Sequence, residues 1–188
     1  MRVIAPYELP TRLIPAGTAA RIDPARAALL VNDMQEQFLS PYGAPGSTML
    51  ATITGNIAAL RGRAGRTGMP VFFAAQRHVR GLSLVESLQP GAGEAVLTKP
   101  GYSAFAGTSL AALLDGRDQL IITGVYAHLG VLATALDAIE HDILPFVIAD
   151  AVADLSPAHH AVALRHIAAR GGALATTAQL SADLPAHA

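Results

Sequence analysis

The sequence predicts an α/β fold of three layers, in which a mostly parallel, doubly wound six-stranded sheet lies between two layers of helices. Two observations lead to this prediction. Short apolar runs that suit buried strands alternate with stretches of helical spacing between residues 27 and 176. The chain also has 188 residues, of which 52% are hydrophobic and 14% charged, and this suits a single domain over residues 1–188.

The first predicted strand, residues 27–31, is a run of five apolar residues without alternation. A continuous apolar run is typical of a strand covered on both faces, as the central strands of parallel sheets are. Asp33 follows at the carboxyl end of this strand, where a charge beside an apolar core is costly unless a partner or a reaction uses it. A simple loop cap is the alternative interpretation of this carboxylate.

Local signals justify the other elements. Residues 1–26 contain four prolines and no sustained periodicity, so they are predicted to form an extended N-terminal arm. Residues 40–46 form a loop by composition, and Ser47 or Thr48 can cap a helix that ends near Arg66. Further strands are predicted at residues 71–75, 95–98, 119–125, 145–149 and 173–176, and further helices at 109–114, 130–140 and 156–170. The expected strand order is 3-2-1-4-5-6, which is Rossmann-like.

Composition limits the partners and the cellular location. The formal net charge is −1 and the arginines form no stripe, so neither nucleic acid nor a membrane surface is expected as a partner. The chain has no cysteine, which excludes disulfides, thiolate metal sites and a cysteine nucleophile, and favours a cytoplasmic location. We find no signal peptide and no apolar run of ~18 residues, so a soluble protein is expected. The apolar composition predicts a homodimer or a higher homo-oligomer.

Several common site motifs are missing from the sequence. No GxGxxG pattern follows a strand and no P-loop pattern occurs, so nucleotide binding has no support. His159 and His160 stand at the start of a predicted helix without an acid at metal-ligand spacing, so they are expected on a solvated face. Neither a metal nor an organic cofactor is expected. The aspartates at positions 137, 150 and 154 are interpreted mainly as caps or pair partners.

The carboxyl ends of the predicted strands hold the candidate chemistry. Ligands of open parallel sheets bind beyond these ends, which selects Asp33, Gln76, Lys99 and the turn at residues 126–130. Lys99 is the only lysine among 13 basic residues, so either chance or a need for an ammonium group placed it there. Asp33 and Lys99 can form a pair in which each changes the pKa of the other, although a structural ion pair is equally consistent. Gly130 is predicted to open a helix whose N–H groups can bind an anion.

Four strings of the sequence together resemble the isochorismatase-like hydrolases. They are LLVNDMQEQF at residues 29–38, LTK at 97–99, QLIITGVYAHLGV at 119–131 and DILPFVIADAVAD at 142–154. Most members of that family are amidases with an Asp, a Lys and a Cys, and the position of the cysteine holds Gly130 here. Glycine at that position, after Tyr-Ala-His, is similar to the isochorismatase branch, which includes the enzyme of phenazine synthesis that cleaves aminodeoxyisochorismate.

This resemblance implies an enzyme that hydrolyses a vinyl ether in a small dicarboxylate, isochorismate or 2-amino-2-deoxyisochorismate, and releases pyruvate. Asp33 is implied as the acid that protonates the enolpyruvyl methylene carbon, with Lys99 and Gly130 as the other catalytic residues. A cis peptide bond between residues 125 and 126 is implied as well. The implied substrate-binding residues are Gln76, Tyr126, Phe38, Arg80 and His128.

The sequence departs from the family pattern in two places. The segment 77–98, in the region that closes over substrate, is about twenty residues shorter than in the best-known members. The chain has no Trp, although one usually follows the lysine, and Pro100 and Gly101 stand there instead. Hydrolysis of another small ether or ester, or binding without turnover, therefore stays open as an alternative. No carrier-protein domain follows residue 188, so a freestanding enzyme is expected.

Overall fold

A computed structural model describes residues 3–11, 20–43, 47–77 and 83–184 of the chain. Its strands form one sheet in the order β3-β2-β1-β4-β5-β6, and every pair of neighbours is parallel. The predicted fold class and strand order are therefore confirmed. The strands are β1 (Ala27–Asn32), β2 (Val71–Gln76), β3 (Ala95–Lys99), β4 (Gln119–Val125), β5 (Leu144–Ala153) and β6 (Ala173–Ala175).

Helices cover both faces of this sheet. They are α1 (Glu36–Leu39), α2 (Thr48–Arg66), α3 (Leu110–Leu113), α4 (Leu132–Glu140), α5 (Pro157–Ala169) and α6 (Thr177–Asp183). One apolar cluster packs α2 and α6 against one face, and a second packs α3, α4 and α5 against the other. Among the described residues, we find no helix with both the length and the apolar character needed to cross a membrane.

Strand β1 lies at the centre of the core, and all six of its residues are buried. Leu29 and Val31 belong to the apolar cluster that contains α2, whereas Ala28 and Leu30 belong to the cluster on the opposite face. Because both faces are covered, the strand needs apolar residues at consecutive positions, and this explains the continuous run in the sequence.

The strand order reverses between β1 and β4, which is the place where open parallel sheets bind ligands. The last residue of β1, Asn32, lies opposite Gly124 of β4. The last residues of β2 and β3, Gln76 and Lys99, are also partners in the ladder. The strand ends selected from the sequence therefore share one edge of the sheet.

Two elements near this edge differ from the prediction. A π-helix (Ala127–Val131) precedes α4, so Gly130 lies inside a helical turn and does not open the helix. Strand β5 continues to Ala153 instead of ending at residue 149, because buried apolar residues resume after Asp150. The peptide bond between Val125 and Tyr126 is cis, as the family resemblance implied.

Three helix starts show how well local signals predict caps. Ser156 accepts the His159 N–H at the start of α5, as predicted. Ser47 occupies the N-cap position of α2, but its hydroxyl donates to a loop carbonyl oxygen and makes no cap. Helix α6 was not predicted, and it begins with a capping box in which Thr176 and Gln179 accept each other's backbone N–H.

The predicted arm, residues 1–26, is described only in part. Residues 3–11 and 20–26 contain no helix and no strand. The Tyr7 hydroxyl accepts the Asp154 N–H at 2.8 Å and lies 3.1 Å from His160 Nδ1, so this part of the arm packs on the end of β5. His160 is buried as a result, and its predicted place on a solvated face is wrong.

Candidate active site

A cavity of about 220 Å³ lies at the switch point of the sheet. It is smaller than the ~300–1,000 Å³ of sites for drug-sized ligands, so it suits a small metabolite. A cavity of about 730 Å³ lies between the arm and α2, but the buried pair of Asp33 and Lys99 is not among the described residues that line it. The smaller cavity is lined by Asp33, Phe38, Gln76, Tyr102, Val125, Tyr126, Leu129 and Gly130.

Asp33 and Lys99 form a buried ion pair at this cavity. Lys99 Nζ donates to Asp33 Oδ2 at 2.7 Å, and the lysine is fully buried. The same ammonium group donates to the Tyr102 carbonyl oxygen at 2.6 Å. Strand β2 separates β1 from β3, so a long side chain is needed for the two strand ends to meet. The predicted pairing of Asp33 with Lys99 is therefore confirmed.

Asn32, the residue before Asp33, orients the carboxylate. Asn32 Nδ2 donates to Asp33 Oδ2 at 3.1 Å and to the Val125 carbonyl oxygen at 2.8 Å, and these two acceptors fix which way the amide points. The hydrogen bonds from Lys99 and Asn32 thus reach the same carboxylate oxygen. The second oxygen, Asp33 Oδ1, is buried and accepts no hydrogen bond. Oδ1 is therefore the oxygen that is left to hold a proton.

The backbone of Asp33 is unusual as well. Its φ is 51°, a left-handed conformation that is uncommon for residues other than glycine. Its N–H still donates to the Ala74 carbonyl oxygen of β2 at 2.8 Å, so the chain leaves the sheet directly after this bond. Such conformations concentrate at functional sites, where surrounding contacts hold them in place.

Burial raises the pKa of Asp33 to about 6. Desolvation of the carboxylate is the largest cause, and it outweighs the opposing effects of the Lys99 charge and of the hydrogen bonds from Lys99 and Asn32. The Gln76 backbone amide opposes it weakly, since its own hydrogen bond goes to Gln35 Oε1. Burial also lowers the pKa of Lys99, with Asp33 acting in the opposite direction. A carboxyl group with a pKa near 6 can hold and deliver a proton close to neutral pH.

Gly130 packs directly against this pair. A Cβ at this position would lie 2.6 Å from Asn32 Nδ2, 2.9 Å from Asp33 Oδ2 and 3.3 Å from Lys99 Nζ. Any larger residue would have to displace these groups, so the lack of space favours glycine here. Gly130 therefore lies beside Asp33 and Lys99 as expected, although it does not begin a helix.

Three of the predicted binding residues line the cavity. Gln76 Nε2 donates to the Gly101 carbonyl oxygen at 3.2 Å, which leaves its second N–H for a ligand. The Tyr126 hydroxyl donates to the Phe38 carbonyl oxygen at 2.6 Å, and the two rings meet edge to face. Burial raises the pKa of Tyr126 to about 12, so this hydroxyl keeps its proton. In this arrangement Gln76 can donate to a substrate carboxylate, whereas the Tyr126 hydroxyl cannot.

The other two predicted binding residues are Arg80 and His128. Arg80 lies outside the described residues. His128 is not among the residues that line the cavity, because its ring faces the Asp154 carboxylate. His128 Nδ1 lies 2.7 Å from both oxygens of that group, and the His128 backbone N–H donates to Asp154 Oδ2 at 2.7 Å. These contacts hold the π-helix to the end of β5, and the expected contact between His128 and substrate stays a prediction.

Asn32 was not predicted from the sequence, whereas Asp154 was interpreted there mainly as a cap or a pair partner, and its contacts with His128 and Leu155 confirm this. Asn32 reads there as one more strand residue, and its position directly before Asp33 is the signal that could have identified it. Asp154 is fully buried after β5, and its Oδ1 lies 3.9 Å from His159 Nδ1. The expectation that His159 has no acid near it is wrong, because the junction of β5 and α5 brings the two residues together.

Comparison with known proteins shows to which family this chain belongs. The model of the isochorismatase domain matches residues 27–179, which is most of the chain. The chain belongs to the isochorismatase family. The matched segment includes every residue that lines the cavity described above, from Asp33 to Gly130.

Curated members of the isochorismatase family align over most of the chain. Phenazine biosynthesis protein PhzD of Pseudomonas fluorescens is 42% identical, and the match covers 93% of this chain and 95% of that protein. Enterobactin synthase component B of Escherichia coli is 39% identical over 87% of this chain and 66% of its own length. The isochorismatase of Bacillus subtilis is 37% identical over 89% of this chain and 61% of its own length.

Solved structures show the same fold. An isochorismatase from Pseudomonas putida superposes with a TM-score of 0.77 at 22% identity, covering 89% of this chain and 100% of that one. A cysteine hydrolase from Pseudomonas syringae pv. phaseolicola superposes with a TM-score of 0.79 at 24% identity, covering 91% and 97%. At these identities the likeness concerns the fold alone. This member of the isochorismatase family has no cysteine, so thioester chemistry is not available to it.

Proposed function

We propose that this protein hydrolyses the enolpyruvyl vinyl ether of isochorismate, or of 2-amino-2-deoxyisochorismate, and releases pyruvate. The observation that carries the proposal is the state of the Asp33 carboxyl group. It is buried at the cavity, its pKa is raised to about 6, and its Oδ1 accepts no hydrogen bond. The relatives named PhzD and isochorismatase, at 42% and 37% identity, support the same assignment.

In the proposed reaction the protonated Asp33 carboxyl transfers its proton to the terminal methylene carbon of the enol ether. The C=C electron pair forms the new C–H bond, and a lone pair of the ether oxygen stabilises the adjacent cation as an oxocarbenium ion. Water adds to that carbon and gives one proton to the Asp33 carboxylate, which produces a hemiketal. A lone pair of the hemiketal hydroxyl then forms the C=O bond of pyruvate as the bond between the hemiketal carbon and the ring oxygen breaks, and the proton of that hydroxyl passes to the ring oxygen, which becomes a hydroxyl group.

Lys99 has a defined part in this proposal. It opposes protonation of Asp33 in the free enzyme, but it stabilises the carboxylate that appears once the proton has moved to carbon. An interaction that is stronger in the transition state than in the ground state accelerates the chemical step. Burial keeps the pKa of Asp33 high enough for the acid form to be available. Burial therefore favours the state before proton transfer, and Lys99 favours the state after it.

Substrate binding supports the acid form further. Gln76 has one N–H left for a ligand, and we propose that it holds a carboxylate of the substrate in the cavity. A substrate carboxylate close to Asp33 raises its pKa, because two like charges repel at short range. Catalysis in this site therefore uses the negative charge of the substrate.

Pyruvate release tests the proposal, measured by coupling to lactate dehydrogenase with isochorismate and with its 2-amino analogue. Wild type is expected to produce one pyruvate for each substrate molecule consumed, and the ratio of kcat/KM values identifies the preferred ring substituent. Lys99→Arg is expected to lose most activity, because a planar guanidinium does not fit between Asp33 Oδ2 and the Tyr102 carbonyl oxygen. A folded wild type that releases no pyruvate from either compound would overturn the assignment.

We extend the proposal to the organisation of the chain. The strands from Ala27 to Ala175 belong to one sheet, which supports a single domain over residues 1–188. The exposed apolar side chains of Leu136 on α4 and Val162 on α5 support a homodimer or a larger homo-oligomer. Light scattering after size exclusion measures that state directly. A cytoplasmic location is proposed from the cysteine-free composition.

A further inference from the structure

His128, Asp154 and His159 form a cluster outside the lining of the cavity. One ligand atom of each residue lies within 4.8 Å of the others. His128 Nδ1 lies 2.7 Å from both Asp154 oxygens, and His159 Nδ1 lies 3.9 Å from Asp154 Oδ1. The two imidazole rings lie 4.5 Å apart between centroids at an angle of 30°. In both histidines it is therefore Nδ1 that faces the Asp154 carboxylate.

We propose that these three side chains bind a divalent transition-metal ion of the zinc class. Two imidazole nitrogens and one carboxylate are a donor set that Zn²⁺, Cu²⁺ and Ni²⁺ favour. Mg²⁺ and Ca²⁺ prefer oxygen ligands alone, so the two histidines exclude them as the preferred ions. Three protein ligands leave a fourth position of a tetrahedral ion to water.

The charge of Asp154 supports this assignment. Asp154 is fully buried, and its ion-pair partners within the described part of the chain are the two histidines. Its Oδ2 accepts the His128 backbone N–H at 2.7 Å and its Oδ1 accepts the Leu155 N–H at 2.6 Å. These bonds use one lone pair on each oxygen and leave the other for the imidazoles. A divalent cation would neutralise this buried carboxylate, and a buried charge is costly unless it is paired or coordinates a metal.

The distances suit an ion after small movements of the rings. Zinc bonds of about 2.0–2.2 Å to nitrogen and oxygen place tetrahedral ligand atoms roughly 3.3 Å apart. His128 Nδ1 would withdraw from the carboxylate by roughly half an ångström, and His159 Nδ1 would approach it by a similar amount. Both rings have room to move, since the His128 side chain is 25% exposed and the His159 side chain 56% exposed.

The position of the cluster assigns the ion a stabilising role. His128 belongs to the π-helix that contains Gly130, Asp154 follows β5, and His159 lies in the first turn of α5. An ion bound here cross-links three elements without touching the substrate cavity. Binding to the folded chain alone raises its stability with the ion concentration. This inference is independent of the proposed reaction, so either can fail alone.

Calorimetric titration of the metal-free full-length chain with ZnCl₂ tests the site. Wild type is expected to bind one Zn²⁺ for each chain, and His159→Ala is expected to bind at least ~10-fold more weakly because one of three ligands is lost. His166→Ala is the matched control, because His166 is an exposed histidine on the same helix, outside the cluster. Zn²⁺ should also raise the unfolding temperature of wild type and of His166→Ala, with little effect on His159→Ala.

Cobalt gives a readout that does not depend on stability. Co²⁺ bound by wild type should show the strong visible absorption of a tetrahedral site, and His128→Ala and His159→Ala should both lose it. Since His159 is mainly exposed, its removal leaves the fold intact in the absence of metal. Equal Zn²⁺ affinity in wild type and His159→Ala, or no saturable binding by wild type, would overturn the proposal.

Discussion

Asp33 and Asp154 are two buried carboxylates at the same edge of the sheet, but their surroundings differ. Asp33 follows β1 and is 5% exposed, and Asp154 follows β5 and is fully buried. Each oxygen of Asp154 accepts a backbone N–H, and both face His128. Asp33 accepts all of its hydrogen bonds on Oδ2 and none on Oδ1. Asp154, which holds a turn, therefore has a hydrogen-bond donor at each of its oxygens. Asp33, the acid proposed to react, has donors at one oxygen only.

The difference has an energetic reason. A carboxylate that accepts several N–H groups is stabilised in its charged form, whereas a buried carboxylate with an unpaired oxygen favours the protonated form. Burial raises the pKa of Asp33 even though a lysine ammonium lies 2.7 Å from it. Proximity of opposite charges therefore does not by itself decide the protonation state of Asp33, because desolvation of the buried carboxylate outweighs it.

The largest expected effect comes from removing the acidic proton. Asp33→Asn keeps the shape of the side chain, and it is expected to lower kcat for pyruvate release by ~10²–10⁴-fold, the usual contribution of a general acid. Asp154→Asn in the same assay should lower kcat by less than about tenfold, because it removes no reacting group. Equal losses in the two variants would contradict the distinction between the two carboxylates.

Filling the space beside Asp33 is expected to have the next largest effect. Gly130→Ala places a methyl group against Asn32 Nδ2 and Asp33 Oδ2, so the carboxylate must move, and a loss of about 10–100-fold in kcat is expected. Gly55→Ala is the control, since no heavy atom outside its own helix and chain neighbours lies within 4 Å of a Cβ there. It should leave kcat unchanged and raise the free energy of unfolding by ~0.5–1 kcal/mol.

Removing the charge of Asp154 should reduce stability. Asp154→Asn replaces one acceptor oxygen by an N–H donor that faces another donor, so we expect the free energy of unfolding in urea to fall by about 1–3 kcal/mol. Asp183→Asn, at the exposed end of α6, is the control and should change it by less than ~0.5 kcal/mol. A stability loss that is equally small in both variants would mean that Asp154 does not hold the turn.

The smallest expected effect is a shift in the pH profile. The acid form of Asp33 is required, so kcat/KM of wild type should fall as the pH rises through about 6. Asn32→Leu removes a hydrogen bond that lowers the pKa of Asp33, so the fall should occur at higher pH. Asn56→Leu loses a comparable bond, to the Asp150 carbonyl oxygen at 2.7 Å, and should leave the profile in place. A shift to lower pH in Asn32→Leu would contradict the assigned hydrogen bond.

The fold and the common location of Asp33, Gln76 and Lys99 follow from sequence patterns. Consecutive apolar runs and helical spacing are local signals, and parallel strands bring Asp33, Gln76 and Lys99 to one edge whatever the details of the loops. Hydrogen bonds between distant residues are not visible in such patterns. The amide of Asn32 reaches the Val125 carbonyl oxygen 93 positions away, and the orientation of that amide decides which oxygen of Asp33 stays unpaired.

The predicted role of His128 shows the same limit. The family resemblance implied a contact between His128 and the ligand, but His128 Nδ1 lies 2.7 Å from Asp154, 26 residues further along the chain, and His128 is not among the residues that line the cavity. The π-helix was not foreseen either, because its residues carry no capping or breaking signal where the winding changes. The contact between His128 and Asp154 and the π-helical winding could therefore be identified only from the structure.

Gly124 restricts how this scaffold could be adapted to other compounds. It lies on β4 opposite Asn32 with a φ of 101°, and a side chain there would overlap the Asn32 carbonyl oxygen. The main chains of Gly124 and Asn32 are consequently in close contact next to Val125 and Asp33, two residues that line the cavity, and no larger side chain fits between them. To admit a bulkier ring, substitution is better directed at Tyr102, a lining residue that is 57% exposed and can be replaced by a smaller side chain.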